Sequence, residues 1–507
     1  MKGKKFLALL MAGAMTLSFA ACGNNDEGEN SSSPVGGENT QQESDPASGT
    51  PTPTDTPAPT EEPKSEGEKL AEQYNGFIET PMDLNGRVIK VLSTVADSRY
   101  VYKKDDNGNP SPEKTSNVTV EVIKALESIE KDYNCKFEFE QLKAKEMVSA
   151  LVTAQSNGDV YCDILEFGCS DTYLEQIYGA NLCMDLNDSR IADIIKLDEN
   201  PWLPASGFGQ FKGNWYGVHF KTQNSSDILR GVLLYNKELA AQYGLPDMYE
   251  MVKNGTFTFD AFGDMLASIQ SQSDGSVYPF LFNQEGLFYP AMVAANGSTV
   301  ATYENGVYTF NGLAAECLEA LNYTVDWQNR GYYHPESNNR KTNEGNFSAG
   351  EAVFMVTNYA TLSKLKAGGS LESQYTYGLL PMPIGPSNTA KQYNAVSYTE
   401  AMFNVMDNVE KPEEIAAVLV AIANRCSKHD MVDSELLAGN LMDNESGDML
   451  QLMYDNMICD YSRSISTTRG KVSAACTSIY KGEKTPQVAF EEIKAEVDDL
   501  FKEYSVE

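Results

Sequence analysis

Histidine is scarce in this 507-residue chain. There are three, His219, His334 and His429, and none stands at metal-ligand spacing from another. No HExxH, GxSxG, P-loop or GxGxxG occurs in the context its chemistry requires. Asp105-Asp-Asn-Gly-Asn109 faintly resembles a calcium loop, but Pro110 stands where Gly belongs and the bidentate Glu is missing, so it reads as a solvated loop. No catalytic residue, metal or cofactor is expected. Basic residues are few, 39 Lys and Arg against 72 Asp and Glu, for a formal net charge of -33. Such a surface repels nucleic acid. After residue 21 no long apolar run occurs, which excludes a membrane channel built of helices. There is no CxxC; apart from Cys22 the cysteines are scattered, and mostly free, partly buried thiols are expected. No fixed-period repeat is present.

What is there begins with Lys2, Lys4 and Lys5, followed by an apolar run from Phe6 to Ala21. A basic start, a short apolar stretch and small residues before a cut describe an export signal, residues 1–21. The run is too short, and with Thr16 and Ser18 too polar, for a good membrane span. Residues 23 to about 66 are rich in Ser, Pro, Thr, Gly, Glu and Asn. Such a stretch buries too little apolar surface to offset its ordering entropy, and its prolines keep it extended. Residues 22–82 are therefore read as a tether.

About 420 residues remain, enough for two or three domains. The organising stretch is Gly231 to Phe262. Its apolar run Gly231–Tyr235 is short enough for a fully buried strand. Asn236 caps a helix over 237–243, Gly244 stops it, and after a polar loop Thr258 caps the next. Upstream, strands are expected at 86–93, 136–140 and 163–167, with helices at 118–133, 145–156 and 172–178 between and after them. Lys212-Gly213-Asn214 marks a hairpin within 207–220. Downstream, strands are expected at 277–282, 352–356, 377–381 and 401–406. A loop at 283–289 precedes an apolar helix to Ala295. Further helices are expected at 312–330, from Asn358 on, at 411–425 and at 486–502. Strands alternating with helices argue for parallel sheets, whose ligands sit at the carboxyl ends of strands. Trp202, Trp215, Tyr216, Phe288, Tyr289, Trp327 and Tyr359 lie at loop edges, where rings can stack on the C–H faces of sugars or simply pack the core.

Two resemblances sharpen this reading. Phe19-Ala20-Ala21-Cys22-Gly23, with Phe where Leu is usual, resembles a bacterial lipobox. It implies cleavage before Cys22 and a lipid on its sulfur, placing the protein on the extracellular face of a bacterial cell membrane. "LLYNKELAAQYGLP" followed by "GTFTFDAF" resembles extracellular solute-binding proteins of the sugar-binding type, the receptors of ABC importers, and the likeness runs diffusely from about Gly86 to the end. It implies an α/β, two-lobed periplasmic-binding-protein-like (type II) fold with a hinge and an interlobe cleft. Lobe one would take 84–222 and 393–430, and lobe two 223–392 and 431–507, with crossings near 220–230, 391–398 and His429. "FNQEGLFYPAMVAANG" then implies ligand contacts from Glu285 and from Phe288 or Tyr289. "FMVTNYATLSKL" implies them from Asn358 and Tyr359, and "DILEFGCSDTYLEQ" from Asp171. Near 462–469, where some members bring a Trp, this chain has none; Arg463 or Arg469 in its place would suit an acidic sugar. The partners implied are a mono- or oligosaccharide, ABC permease subunits and the membrane through the lipid, with a monomeric chain that closes on its ligand and catalyses nothing. Two other readings stay open at this point. Glu166, Glu285 and Glu400 lie near expected strand ends, where a carboxylate pair would serve an anchored glycoside hydrolase. A sensor or adhesin would use the same fold without transport.

Overall fold

In chain order, the strands that build the two main sheets are β1 (Arg87–Ser93), β2 (Cys135–Gln141), β3 (Ile164–Gly168), β4 (Gly217–Val218), β5 (Val232–Asn236), β6 (Tyr278–Phe282), β7 (Ala352–Thr357), β8 (Tyr377–Leu380) and β9 (Ala401–Val405). They are seen in a computed structural model that describes residues 79–95, 98, 100–102, 120–168, 174–197, 199–200, 207–220, 229–397, 401–432 and 441–506. The export signal, Cys22, the tether up to residue 78, Asp171, Trp202, Glu400 and most of the expected crossing at 220–230 lie outside the described residues.

The first sheet runs β2-β1-β3-β9-β4. β1 is parallel to β2 and β3, whereas β9 is antiparallel to both β3 and β4. The second runs β8-β5-β7-β6, with β6 parallel to β7 and β5 antiparallel to both its neighbours. The expectation of parallel sheets thus holds for three strands of one sheet and one pair of the other. β9 enters the first sheet after the whole second sheet has been laid down, and the direction of that return sets its sense.

β5 shows why its sequence forms a central strand. Val232-Leu-Leu-Tyr-Asn236 is buried along its whole length, and β7 likewise. Strands covered on both faces read as unbroken apolar runs. Leu233 and Leu234 have no exposed surface, each worth about 1.5–3 kcal/mol of burial. The Asn236 side chain then accepts from Leu239 N–H and ends the strand by starting the helix Lys237–Gln242. Thr258 caps Phe259–Gln272 by accepting from Ala261 N–H. The stretch between, expected as loop, instead holds a short helix, Met248–Lys253, capped by Asp247.

Each sheet has its own core. Around the first are Ile89, Leu126, Ile164, Phe167, Val405 and Leu419. Around the second, Phe262, Phe280, Phe288, Trp327 and Phe354 form an aromatic cluster on one face, and Leu234, Leu281, Met355 and Leu379 pack on the other. Phe211 and Tyr461 pack against the first core and the aromatic core alike. At the amino edge of the first sheet, Arg87 pairs with Asp163 (3.0 Å) and Glu414 (2.9 Å). Nearby, Arg425 on the helix Pro412–Val432 holds Glu79, Ser128 and Asp132.

Candidate functional site

β6 and β7 are parallel, so their carboxyl ends share one edge. Val356 pairs with Phe282, and Asn283 N–H donates to Val356 C=O at 3.0 Å. The two segments leaving that edge, Asn283-Gln284-Glu285 and Thr357-Asn358-Tyr359, therefore run out side by side. This is where ligands of α/β sheets bind.

The edge is braced from behind. The Asn283 amide donates to Thr357 Oγ1 (2.6 Å), and the Thr357 and Thr361 hydroxyls are 2.7 Å apart. Thr361 donates to Glu344 Oε1 (2.8 Å), and Lys364 Nζ to Glu344 Oε2 (2.6 Å). Glu344 is almost wholly buried, and its charge is matched by Lys364 with Arg340 Nε at 3.9 Å. Asn343 adds a bond to Phe282 C=O (2.7 Å). This network ties the two strand ends together, with Asn283 Oδ1 and Asn343 Oδ1 left without a hydrogen-bond partner.

Glu285 opens the helix Glu285–Ala295. Its N–H donates to Asn338 Oδ1 (2.8 Å), and its carboxylate accepts from Thr477 (2.7 Å) while remaining half-exposed. Arg463 lies against the next residue: a methyl group added at Gly286 would meet its Nη1 at 2.9 Å. Glu285 and Arg463 both act on the buried Cys476 thiol, which burial pushes up to about 12. A carboxylate, a guanidinium and a helix start thus converge here. Asn358, 8% exposed, has its Oδ1 buried without a hydrogen-bond partner.

The expected loop 283–289 is the first turn and more of a helix. Phe288 and Tyr289 consequently fall on its inward stripe. Phe288 has no exposed surface and packs on Phe280, Phe282 and Tyr333, and Tyr289 is 1% exposed. In this conformation neither ring has a face open to a ligand. Tyr359, 2% exposed, opens a 3-10 turn and belongs to the core on the other face of the sheet. The structure therefore brings Glu285, Asn358 and Arg463 to one edge, with the three rings as its backing. Arg463 was named only through the resemblance, as one of two arginines, 463 or 469, that could stand in for a missing Trp; Glu344, Asn343 and Thr361 carried no local signal.

At the carboxyl edge of the first sheet, Ser93 pairs with Glu166 across β1 and β3. Ser98 donates to Glu166 Oε2 at 2.6 Å. Glu166 is fully buried, and desolvation pushes it up to about 7 against the bonds from Ser93 and Ser98. Near neutrality it is a carboxyl group shared between two states, turned inward from the edge. Among the described residues no cluster of His, Cys, Asp and Glu is arranged to hold a metal ion.

A profile of the bacterial extracellular solute-binding protein family matches residues 124–422, more than half of the chain. A comparison with curated protein sequences gives no match. Among solved structures, the galacto-N-biose-/lacto-N-biose I-binding protein of an ABC transporter from Bifidobacterium longum, in complex with lacto-N-biose, superposes with a TM-score of 0.56 at 14% identity, over 84% of this chain and 100% of that one. The GacH receptor of Streptomyces glaucescens, solved unliganded and with acarbose, gives 0.54 at 13%, over 83% and 100%. The ABC substrate-binding protein Lmo0181 from Listeria monocytogenes, in complex with cycloalternan, gives 0.53 at 13%, over 82% and 100%. At these identities the likeness is one of fold: a two-lobed, periplasmic-binding-protein-like architecture.

Proposed function

The chain belongs to the bacterial extracellular solute-binding protein family, whose members bind and do not catalyse, and from that premise we propose that it captures a carbohydrate between its lobes and delivers it to the permeases of an ABC importer. The observation that carries the reading is the shared edge of β6 and β7. It sets an unpartnered buried acceptor, Asn358 Oδ1, beside the half-exposed Glu285 carboxylate and Arg463, and rigid bonds hold all of it from behind. Sugar hydroxyls are donors and acceptors at once and suit such a mixed set of fixed partners. The sugar complexes of the fold neighbours support the same ligand class. Asp171, from the first lobe, completes the set when the lobes close. Ligand bound to both halves stabilises the closed state by its differential contacts. Lobe one takes 84–222 and 393–430, and lobe two 223–392 and 431–507. A lipid on Cys22 would hold the monomer at the outer face of the cell membrane.

A thermal-shift screen of mono- and oligosaccharides, uronic acids included, identifies the ligand. Calorimetry of Asn358→Ala then tests the site. The variant is expected to lose about tenfold or more in affinity, ~1.4 kcal/mol for one hydrogen-bonded contact. Its unfolding midpoint is expected to stay near wild type, because Oδ1 has no partner to lose. Wild-type affinity in both Asn358→Ala and Glu285→Ala would move the site elsewhere. Unchanged solution scattering at saturating ligand would remove closure from the mechanism.

A further inference from the structure

Two hairpins, one from each half of the fold, meet at their turns. One is Gln210–Phe211 with Asn214–Trp215, turning at Lys212-Gly213 and leading through Tyr216 into β4 of the first sheet. The other is Ala301–Glu304 with Val307–Phe310, turning at Asn305-Gly306; its Ala301, Tyr303, Tyr308 and Phe310 belong to the aromatic core of the second sheet. The helix Pro486–Tyr504 is seated on this second hairpin. Phe490 packs edge-on against Phe310, with ring centroids 5.8 Å apart, and Phe501 stacks on Tyr308 at 5.2 Å.

We propose that the segment Tyr504–Val506 is a latch: carried by the second half, it grips the first and holds the two halves in the arrangement seen here, so that it sets how readily they part. The segment is fixed to its own half by three hydrogen bonds. Tyr308 N–H donates to Ser505 Oγ (2.9 Å), Ser505 Oγ donates to Phe501 C=O (2.6 Å), and Val506 N–H donates to Gly306 C=O (2.8 Å). These bonds lay the segment along the second hairpin and aim it at the first.

Three contacts reach the first half. Val506 Cγ2 lies between the two turns: a methyl group added at Gly213 would meet it at 2.7 Å, and one added at Gly306 at 2.4 Å. Both glycines have φ of +82°, which side chains rarely adopt, and the valine takes the space a side chain would need. The Tyr504 ring lies 5.5 Å from that of Phe211, which packs on the first core. The Tyr504 hydroxyl shares a small cavity with Glu175 of the helix Leu174–Ile177; burial and that carboxylate hold its proton well above the ordinary tyrosine range. Val506 is nevertheless 45% exposed, so its contact breaks without opening either core. A small, partly wet contact suits halves that must separate and rejoin.

The proposal takes from the function above only that the lobes move. Its test uses the full chain without ligand, so it can fail while the sugar assignment stands, and the reverse. Spin labels on unnatural residues at Val152, on the helix Ala144–Asn157 of the first half, and at Lys253 of the second report the distance between the halves; both positions are exposed. Deletion of residues 505–507, and separately Val506→Asp, is expected to raise about tenfold the population at distances other than the main one, with circular dichroism showing the fold kept. Val488→Asp, at a 43% exposed position of the same helix, is expected to leave the distribution as in wild type. A wild-type distribution in either latch variant overturns the proposal. So does an equal change in Val488→Asp, which would make the effect one of helix stability.

Discussion

Replacing Glu344 asks whether the network behind the strand ends is what holds the candidate site. The carboxylate is 4% exposed as a residue, accepts from Thr361 at 2.8 Å and from Lys364 at 2.6 Å, and lies 3.5 Å from the Asn283 amide. Glu344→Ala removes one charge-assisted bond, worth about 1.5–3 kcal/mol, and one neutral bond of about 1 kcal/mol. Lys364 is about a third exposed and turns to water instead of being stranded, so no buried cation is left behind. The carboxylate's own desolvation cost is recovered, and the net loss comes to about 3 kcal/mol. Lys364→Met leaves the buried carboxylate its bond from Thr361 but, for counter-charge, the more distant Arg340, and a loss of about 3 kcal/mol is expected. The two changes together should cost about 2 kcal/mol less than their sum, because the pair is one interaction. Guanidinium unfolding of the wild type, both single variants and the double variant measures this cycle. Additive losses, or a Glu344→Ala loss under about 0.5 kcal/mol, would refute the idea that these residues brace the edge.

Two further outcomes follow from buried groups. The folded chain holds the Glu166 proton more tightly than an unfolded one, where the group titrates near 4.5; its contribution to stability is full below that pH and is lost as the pH rises to about 7. Glu166→Gln should therefore gain on the wild type between pH 4.5 and 7 by on the order of 3 kcal/mol, read from unfolding curves across pH; a constant difference would contradict the burial argument. Of the seven described cysteines six are buried and Cys459 is partly exposed, and burial pushes Cys135 up to about 11. Alkylation of the native protein followed by peptide mass mapping should label Cys459 first among these seven, the other six reacting only on unfolding.

How much of this was legible in the sequence depended on how local each cause was. β5 was readable because a strand covered on both faces leaves an apolar run, and the caps at Asn236 and Thr258 because one side chain satisfies one nearby N–H. The Lys212-Gly213 turn was readable too, since both residues take positive φ. The helix at 285–295 was misjudged as loop at its start: Gln284 makes no capping bond, and Gly286 and Pro290 look like breakers. Yet Pro290 forfeits only the bond to Gly286 C=O, and the surrounding core outweighs it. The hairpin at 301–310 was overlooked although Asn305-Gly306 is a strong turn signal. The antiparallel sense of β9 was beyond local pattern, because it depends on the route of the chain through the other lobe. Glu166 was placed at a strand end correctly, but its turning inward depends on Ser98, a partner 68 positions away in the chain.

Arg425 clasps Glu79, Ser128 and Asp132 at the point where the chain enters its fold, and Arg87 and Glu414 rivet the neighbouring strand end to the same helix. Any mechanical load arriving along the amino-terminal segment is thus taken up at the root of β1 by ionic rivets. The far tips of β1 and β3, where Ser93 pairs with Glu166, lie at the opposite end of the strands from these rivets.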